Sequence, residues 1–256
     1  MGWIDSHAHI LDQKAFADLA KTLADAKAQG VERILAIALN KAERQQVAKL
    51  SPLYPQLDFA AGYHPEDADD VTDKDLLELA EDIKTGAYLA IGEIGLDYYW
   101  HSDNKEKQKQ LFVSQLHLAR EFDLPVSIHC REAIADTYEI LKKADLPRRG
   151  VMHCFSGDEN QARAFEDLGY YLAFGGVITF KNGQQARNCA RAVSLSKLLI
   201  ETDCPYLAPV PYRGKPNHPA LVALVGQALS ELRNLPASRM QAQLEENYNR
   251  LFRKGI

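Results

Sequence analysis

The sequence predicts an α/β fold, a TIM-type (β/α)8 barrel of parallel strands, in one domain spanning residues 1–256. Three observations predict it: eight short apolar runs, helical stripes between them, and metal-binding side chains where several runs end. Runs rich in apolar, β-branched or aromatic residues fall at about 3 to 9, 32 to 39, 57 to 63, 87 to 92, 125 to 129, 150 to 154, 170 to 174 and 197 to 202. Between them, residues such as Phe16, Leu19, Leu23 and Ala26, or Leu111, Gln115, Leu118 and Phe122, recur at helical spacing and form one stripe. Strand followed by helix, repeated with short connections, gives parallel strands with right-handed crossovers. Closure is the simplest arrangement of eight such units, and 256 residues suit it. The competing open sheet lacks its fingerprint, because the Gly175-Gly176 pair forms neither a dinucleotide-binding nor a P-loop signature.

Composition limits the function classes. With 46% hydrophobic and 25% charged residues the chain has an ordinary globular balance, and no apolar run approaches the roughly 18 to 20 residues that span a bilayer. Met1 to Ser6 carries no basic segment leading into an apolar one, so no secretory signal is expected and the cytoplasm is the expected compartment. Gly2 and Ser6 loosely match a myristoylation pattern, which is set aside because the segment runs directly into the first strand. Cys130, Cys154, Cys189 and Cys204 contain no CxxC pair, and strand alternation turns the three that follow a proposed ligand away from its face. The charged stretch Asp103 to Lys109 mixes signs and reads as a solvated helix start. A net charge of −5 argues against a broad basic surface for coating duplex nucleic acid.

The chemistry lies at the strand ends. His7 and His9 are two apart, so a strand's two-residue period puts both imidazoles on one face. Asp5 shares their parity one pair deeper, where it either orients an imidazole from behind or is a polar strand-start residue. Glu93 closes an apolar run that an unpaired buried charge would explain poorly, and its two oxygens can bridge two cations. His129 and His153 end the fifth and sixth runs, and Asp203 ends the eighth, which closure brings beside the first. A single histidine of this kind is more often structural than a ligand. Six ligand-type residues at strand C-terminal ends point to a metal site on the face where barrels keep their chemistry, and to a metal-dependent hydrolase.

These residues sit in segments that resemble the TatD family of metal-dependent deoxyribonucleases, within the amidohydrolase-like barrel superfamily. The matching segments are Asp5-Ser6-His7-Ala8-His9, Gly62-Tyr63-His64-Pro65, Gly92-Glu93-Ile94-Gly95-Leu96-Asp97-Tyr98, Ile128-His129-Cys130-Arg131, His153-Cys154-Phe155-Ser156-Gly157, Gly175 to Phe180, Glu201 to Pro209 and Arg213 to Asn217, with Asn249 to Phe252 resembling the closing helix. The resemblance covers essentially the whole chain. It implies that His7, His9, Glu93 and Asp203 hold one divalent cation, that Glu93, His129 and His153 hold a second, and that the reaction is hydrolysis of nucleic-acid phosphodiesters, commonly DNA. This chain departs from many relatives at His218 and from some at Glu66, both near the expected substrate rim.

The cations would leave the centre positive, attract a phosphodiester and activate water as hydroxide, with Asp203 accepting its proton. Zinc, magnesium or manganese suits imidazole and carboxylate donors. His64 is expected to contact the phosphate or protonate the leaving oxygen, or else to bind a third metal ion. Arg131 would clamp phosphate or pair with a rim acid such as Glu132. Arg213, Lys215 and Asn217 would join the rim or simply solvate a loop, and Asp97 would orient the mouth or form a turn. Tyr98, Tyr99 and Trp100 would stack on nucleobases or pack a loop, giving a short contact with a single strand or frayed end of DNA by a monomeric exonuclease. The rival reading is an amidohydrolase acting on a cyclic amide, lactone or phosphotriester. A non-catalytic metal-binding scaffold is the more distant one.

Overall fold

The eight expected strands form one parallel sheet in sequential order: β1 (Trp3–Ala8), β2 (Val31–Ala38), β3 (Leu57–Ala61), β4 (Ala90–Asp97), β5 (Val126–Arg131), β6 (Gly150–Met152), β7 (Tyr171–Phe174) and β8 (Leu198–Ile200). The structure, a computed structural model, describes residues 2–253, so the two ends of the expected 1–256 domain lie outside the described residues. Past the end of β8 the sheet curls back onto β1: Asp203 N–H donates to His7 O at 3.0 Å and His9 N–H to Cys204 O at 2.9 Å. Seven helices alternate with the strands: α1 (Leu19–Ala28), α2 (Lys41–Leu50), α3 (Asp73–Lys84), α4 (Lys105–Glu121), α5 (Ile134–Ala144), α6 (Glu159–Asp167) and α7 (Gln184–Ala192). Two more, α8 (Val222–Leu232) and α9 (Ala237–Phe252), follow β8. Among the described residues no helix is long and apolar enough to cross a membrane.

Local chemistry starts several helices where they are needed. Thr72 and Asp158 open α3 and α6 with reciprocal capping boxes, and Asn40 caps α2 through its side-chain oxygen. Within α4, Gln108 and Gln115 are fully buried. They lie seven residues apart, hence on one face. Gln115 exchanges two hydrogen bonds with the Tyr63 peptide, and Gln108 does the same with Asp97, so α4 fixes the chain where β3 and β4 give way to loops.

One barrel end is sealed and the other is open. Tyr248, Leu251 and Phe252 of α9 pack with the interior residues Ile4, Leu35, Ile37 and Leu199, and Tyr248 Oη donates to Asp58 Oδ2 at 2.9 Å. Chemistry is therefore confined to the opposite, C-terminal mouth.

Strand bounds differ from expectation in a way that matters there. β4 was expected at about 87 to 92, with Glu93 closing the run, but it runs from Ala90 to Asp97 and pairs with β5 as far as Asp97 opposite Arg131. Glu93 and His129 consequently lie inside strands. A register shift between Ile91 and Ile94 marks where β4 departs from regular pleating around Glu93. Gly95 makes the tight pairing feasible: at φ 145°, a Cβ there would fall 2.0 Å from His129 O.

Candidate metal centre

All six expected ligands meet at the mouth. Glu93 stands at their centre, 3% exposed, and its two oxygens face different histidines. Oε2 lies 3.3 Å from His7 Nε2 and 3.5 Å from His9 Nε2, while Oε1 lies 2.7 Å from His153 Nε2 and 2.8 Å from His129 Nδ1. Asp203 Oδ1 approaches His9 Nε2 at 3.4 Å. The groups overlap further, because the rings of His7 and His153 stack at 3.9 Å and donor atoms of His7, His153 and Asp203 lie within 4.8 Å of one another.

This donor set fits metal cations. The Nε2 atoms of His7 and His9 are 3.3 Å apart beside a buried carboxylate. Two lone pairs cannot face each other there without a proton or a cation between them. Two of the imidazoles are also held from behind by hydrogen bonds, as ligating histidines are, and a third faces a buried carboxylate without one. His7 Nδ1 meets Ser127 Oγ at 3.1 Å, His129 Nε2 meets Asp97 Oδ2 at 2.9 Å, and His153 Nδ1 lies 3.4 Å from Glu201 Oε1.

The electrostatics of the cluster favour ionised carboxylates beside protonated imidazoles. Burial alone would raise the Glu93 carboxyl, but His153, His7 and His64, with a hydrogen bond to His129, hold it well below its usual range. Burial opposes charge on His153 too, yet Glu93 and Glu201 push it well above an ordinary histidine. His129 is likewise raised against burial, by its bonds to Asp97 and Glu93. Burial and the neighbouring His153 charge lower His7 instead. Asp203 is lowered despite burial by its contact with His9. Its backbone is left-handed, φ 55°, a conformation aspartate tolerates better than most residues.

The description TatD related DNase matches residues 4–253 of the chain. The chain belongs to this family. An uncharacterized metal-dependent hydrolase of Bacillus subtilis, YabD, is 38% identical over 250 residues, covering 97% of this chain and 98% of that one. YcfH of Escherichia coli, named in the same way, is 38% identical over 254 residues, covering 97% and 95%. The crystal structure of YjjV, a TatD homolog from E. coli, superposes with a TM-score of 0.93 at 35% identity over 98% of both chains. A TatD-family hydrolase from Entamoeba histolytica, 21% identical with a TM-score of 0.87 over 98% of both chains, shares the barrel. The protein is a TatD-family metal-dependent hydrolase.

In this TatD-family mouth the remaining expected residues separate. His64 Nε2 faces Glu93 Oε1 at 3.7 Å, and His64 Nδ1 accepts from Glu66 N–H at 3.3 Å. Burial pushes the His64 pKa down to about 4. Arg131 borders the cleft with its guanidinium carbon over Tyr99, 3.9 Å from the ring centre, and without a salt bridge among the described residues. The pair with Glu132 does not form. Trp100 lines the cleft at 60% exposure, whereas Tyr98 turns outward and bonds Asp136. Arg213 and Lys215 lean over Phe180 and Tyr212 and do not border the cleft.

The structure also decides several of the remaining sequence readings. Asn217, expected on the rim, is 2% exposed, and its amide donates to Thr202 O and Tyr206 O, both at 2.7 Å, so it shapes the loop from beneath. His218, one of the two departures from relatives, caps a short 3-10 turn by accepting from Ala220 N–H. Asp5 touches no imidazole ring; it accepts from Thr202 N–H at 2.8 Å and Thr202 Oγ at 2.5 Å, tying β1 to the end of β8. A register shift between Asp5 and Ala8 breaks the simple two-residue period assumed for it. Cys130 and Cys154 do border the cleft, Cys154 because β6 stops at Met152 and its φ is 43°, yet neither joins a ligand group. Glu201 was overlooked. It is fully buried against His153 and accepts from Cys154 N–H at 2.5 Å, and its signal was available: a second carboxylate two residues before Asp203 at the end of an apolar run.

Proposed function

We propose that this hydrolase cleaves DNA phosphodiester bonds at a single strand or frayed end, as an exonuclease of the cytoplasm, using two divalent cations that share Glu93. The division of the Glu93 oxygens between the His7/His9 and His129/His153 pairs carries the reading. Asp203 completes the first group. When bound, zinc, manganese or magnesium would make water nucleophilic near neutral pH and neutralise the anionic diester.

The chain's own groups supply the rest. Asp203, held ionised by its contact with His9, takes the proton of the attacking water. His64 is neutral near pH 7, and because its Nδ1 accepts from Glu66 N–H, its Nε2 carries the hydrogen. That nitrogen donates to a phosphate or leaving oxygen, which favours this role over ligation of a third ion. Arg131, braced on Tyr99, has its in-plane donors free to fork onto a phosphate. Trp100, 60% exposed in the cleft, offers a ring for an unpaired base while Tyr99 supports Arg131, and Arg213 and Lys215 meet a strand that runs past the mouth. With a net charge of −5, attraction is local to this mouth and the footprint short.

The test is to give metal-free protein end-labelled single-stranded DNA, blunt duplex, RNA, a phosphotriester and a cyclic amide, restoring one metal at a time. Shortening of the single strand is expected. Turnover of the amide or triester alone would sink the nuclease reading.

A further inference from the structure

The cleft encloses about 1090 Å³, the scale of a pocket for a drug-sized ligand and more than a diester group and its ligands fill. Its two sides differ in chemistry. Around the barrel axis it presents imidazoles and carboxylates, while between the loops after β6 and β7 it is walled by Phe155, Phe174, Val177 and Ile178. Phe155 and Phe174 are 6% and 1% exposed and meet edge to face at 6.4 Å, which makes that wall rigid. Phe155 stands two residues beyond His153 and lines the same cleft, so the apolar wall adjoins the ligand group.

At its outer edge Gln185 borders the cleft. Its Nε2 donates to Ser156 O at 3.1 Å and Gly157 O at 3.0 Å. Both partners are carbonyls and only accept, so the amide cannot be turned round. Gln185 and Asn182 are both exposed; Gln185 Oε1 makes no hydrogen bond among the described residues and is open to a ligand in place of water, as is the Asn182 side chain. An apolar slot ending in a fixed acceptor suits a flat ring with an N–H edge.

We infer that the compartment between the β6 and β7 loops and α7 is a nucleobase subsite, with Gln185 Oε1 reading an N–H on the base edge. The inference rests on the phosphodiester reading and deepens it. A base seated on the Val177 and Ile178 side anchors the nucleotide beside the cations, and Gln185 makes the fit depend on which base it is.

Single-stranded oligonucleotides carrying either a normal nucleotide or a tetrahydrofuran abasic residue, at either end, test it with metal-loaded wild type, Gln185→Met and Val177→Trp. Wild type is expected to favour the base-bearing strand by about tenfold or more in kcat/KM, mainly through KM. Val177→Trp fills the slot and erases the preference, and Gln185→Met alters the ranking of the four bases while metal content is retained. If Val177→Trp does not fold, the wild-type ratio and the Gln185→Met ranking decide. Equal kcat/KM for both strands with wild type would overturn the subsite and leave the nuclease reading standing. No cleavage of either strand, with turnover of a cyclic amide or phosphotriester, would overturn both.

Discussion

The Asp97 carboxylate holds the His129 ring, with Oδ2 2.9 Å from Nε2, while the other ring nitrogen points at Glu93 Oε1. Asp97 Oδ1 accepts from the N–H groups of Tyr99 and Trp100, so one side chain orients a ligand and shapes the aromatic rim. Burial would raise its pKa, but the bond to His129 and the Trp100 N–H hold it at about 2. Asp97→Asn keeps the turn and loses the charge behind His129. Metal affinity measured by calorimetric titration is expected to fall roughly 10- to 100-fold; unchanged affinity would remove Asp97 from the account.

His64 separates a hydrogen-bond role from a ligand role. His64→Phe is expected to lower kcat on single-stranded DNA by about 100-fold, with His64→Gln less affected because it retains a donor. Bound metal, measured by elemental analysis, stays the same in both. Loss of an ion from either variant would make His64 a ligand instead.

Metal binding is expected to release protons. His153 and His129 have raised pKa values in the metal-free protein, so they hold protons that ligation displaces, and affinity rises as pH rises. Calorimetry in buffers of different ionisation enthalpy reads the proton count directly. Proton uptake, or affinity independent of pH, would contradict the buried histidine–carboxylate cluster described here.

How much of this was legible in the sequence depends on whether a residue's role is local. The six ligands were readable because each ends an apolar run, and order along the chain equals order around the barrel. Glu93 was found although it lies within β4, since only its side chain's face mattered, not the strand's end. Asn217 was misread because its partners, Thr202 and Tyr206, are supplied by loop conformation that has no period. Of the two readings of Asp5, the one that set it behind an imidazole fails for a different reason. Its partner Thr202 is on the far side of the closure, 197 residues away, and the register shift beyond Asp5 leaves no mark in composition.

That same Asp5 gives a stability test. Burial, only partly offset by its bonds to Thr202 and His7, raises its pKa to about 8. An unfolded aspartate titrates near 3.9, so between about pH 4 and 8 the folded chain holds a proton that the unfolded chain releases, and stability falls as pH rises. Asp5→Asn removes that dependence while keeping an acceptor for Thr202 N–H. In metal-free protein, Tm of the variant relative to wild type is expected to climb from pH 5 to pH 8. A constant difference would mean that Asp5 is ionised throughout.

The most direct measurement adds metal stepwise to metal-free wild type and Glu93→Gln while following cleavage of end-labelled single-stranded DNA. Wild type is expected to become fully active only at about two equivalents per chain, and Glu93→Gln to stay inactive with weakened binding of both ions. Full activity at one equivalent, or an active Glu93→Gln, would contradict a paired-cation centre bridged by Glu93.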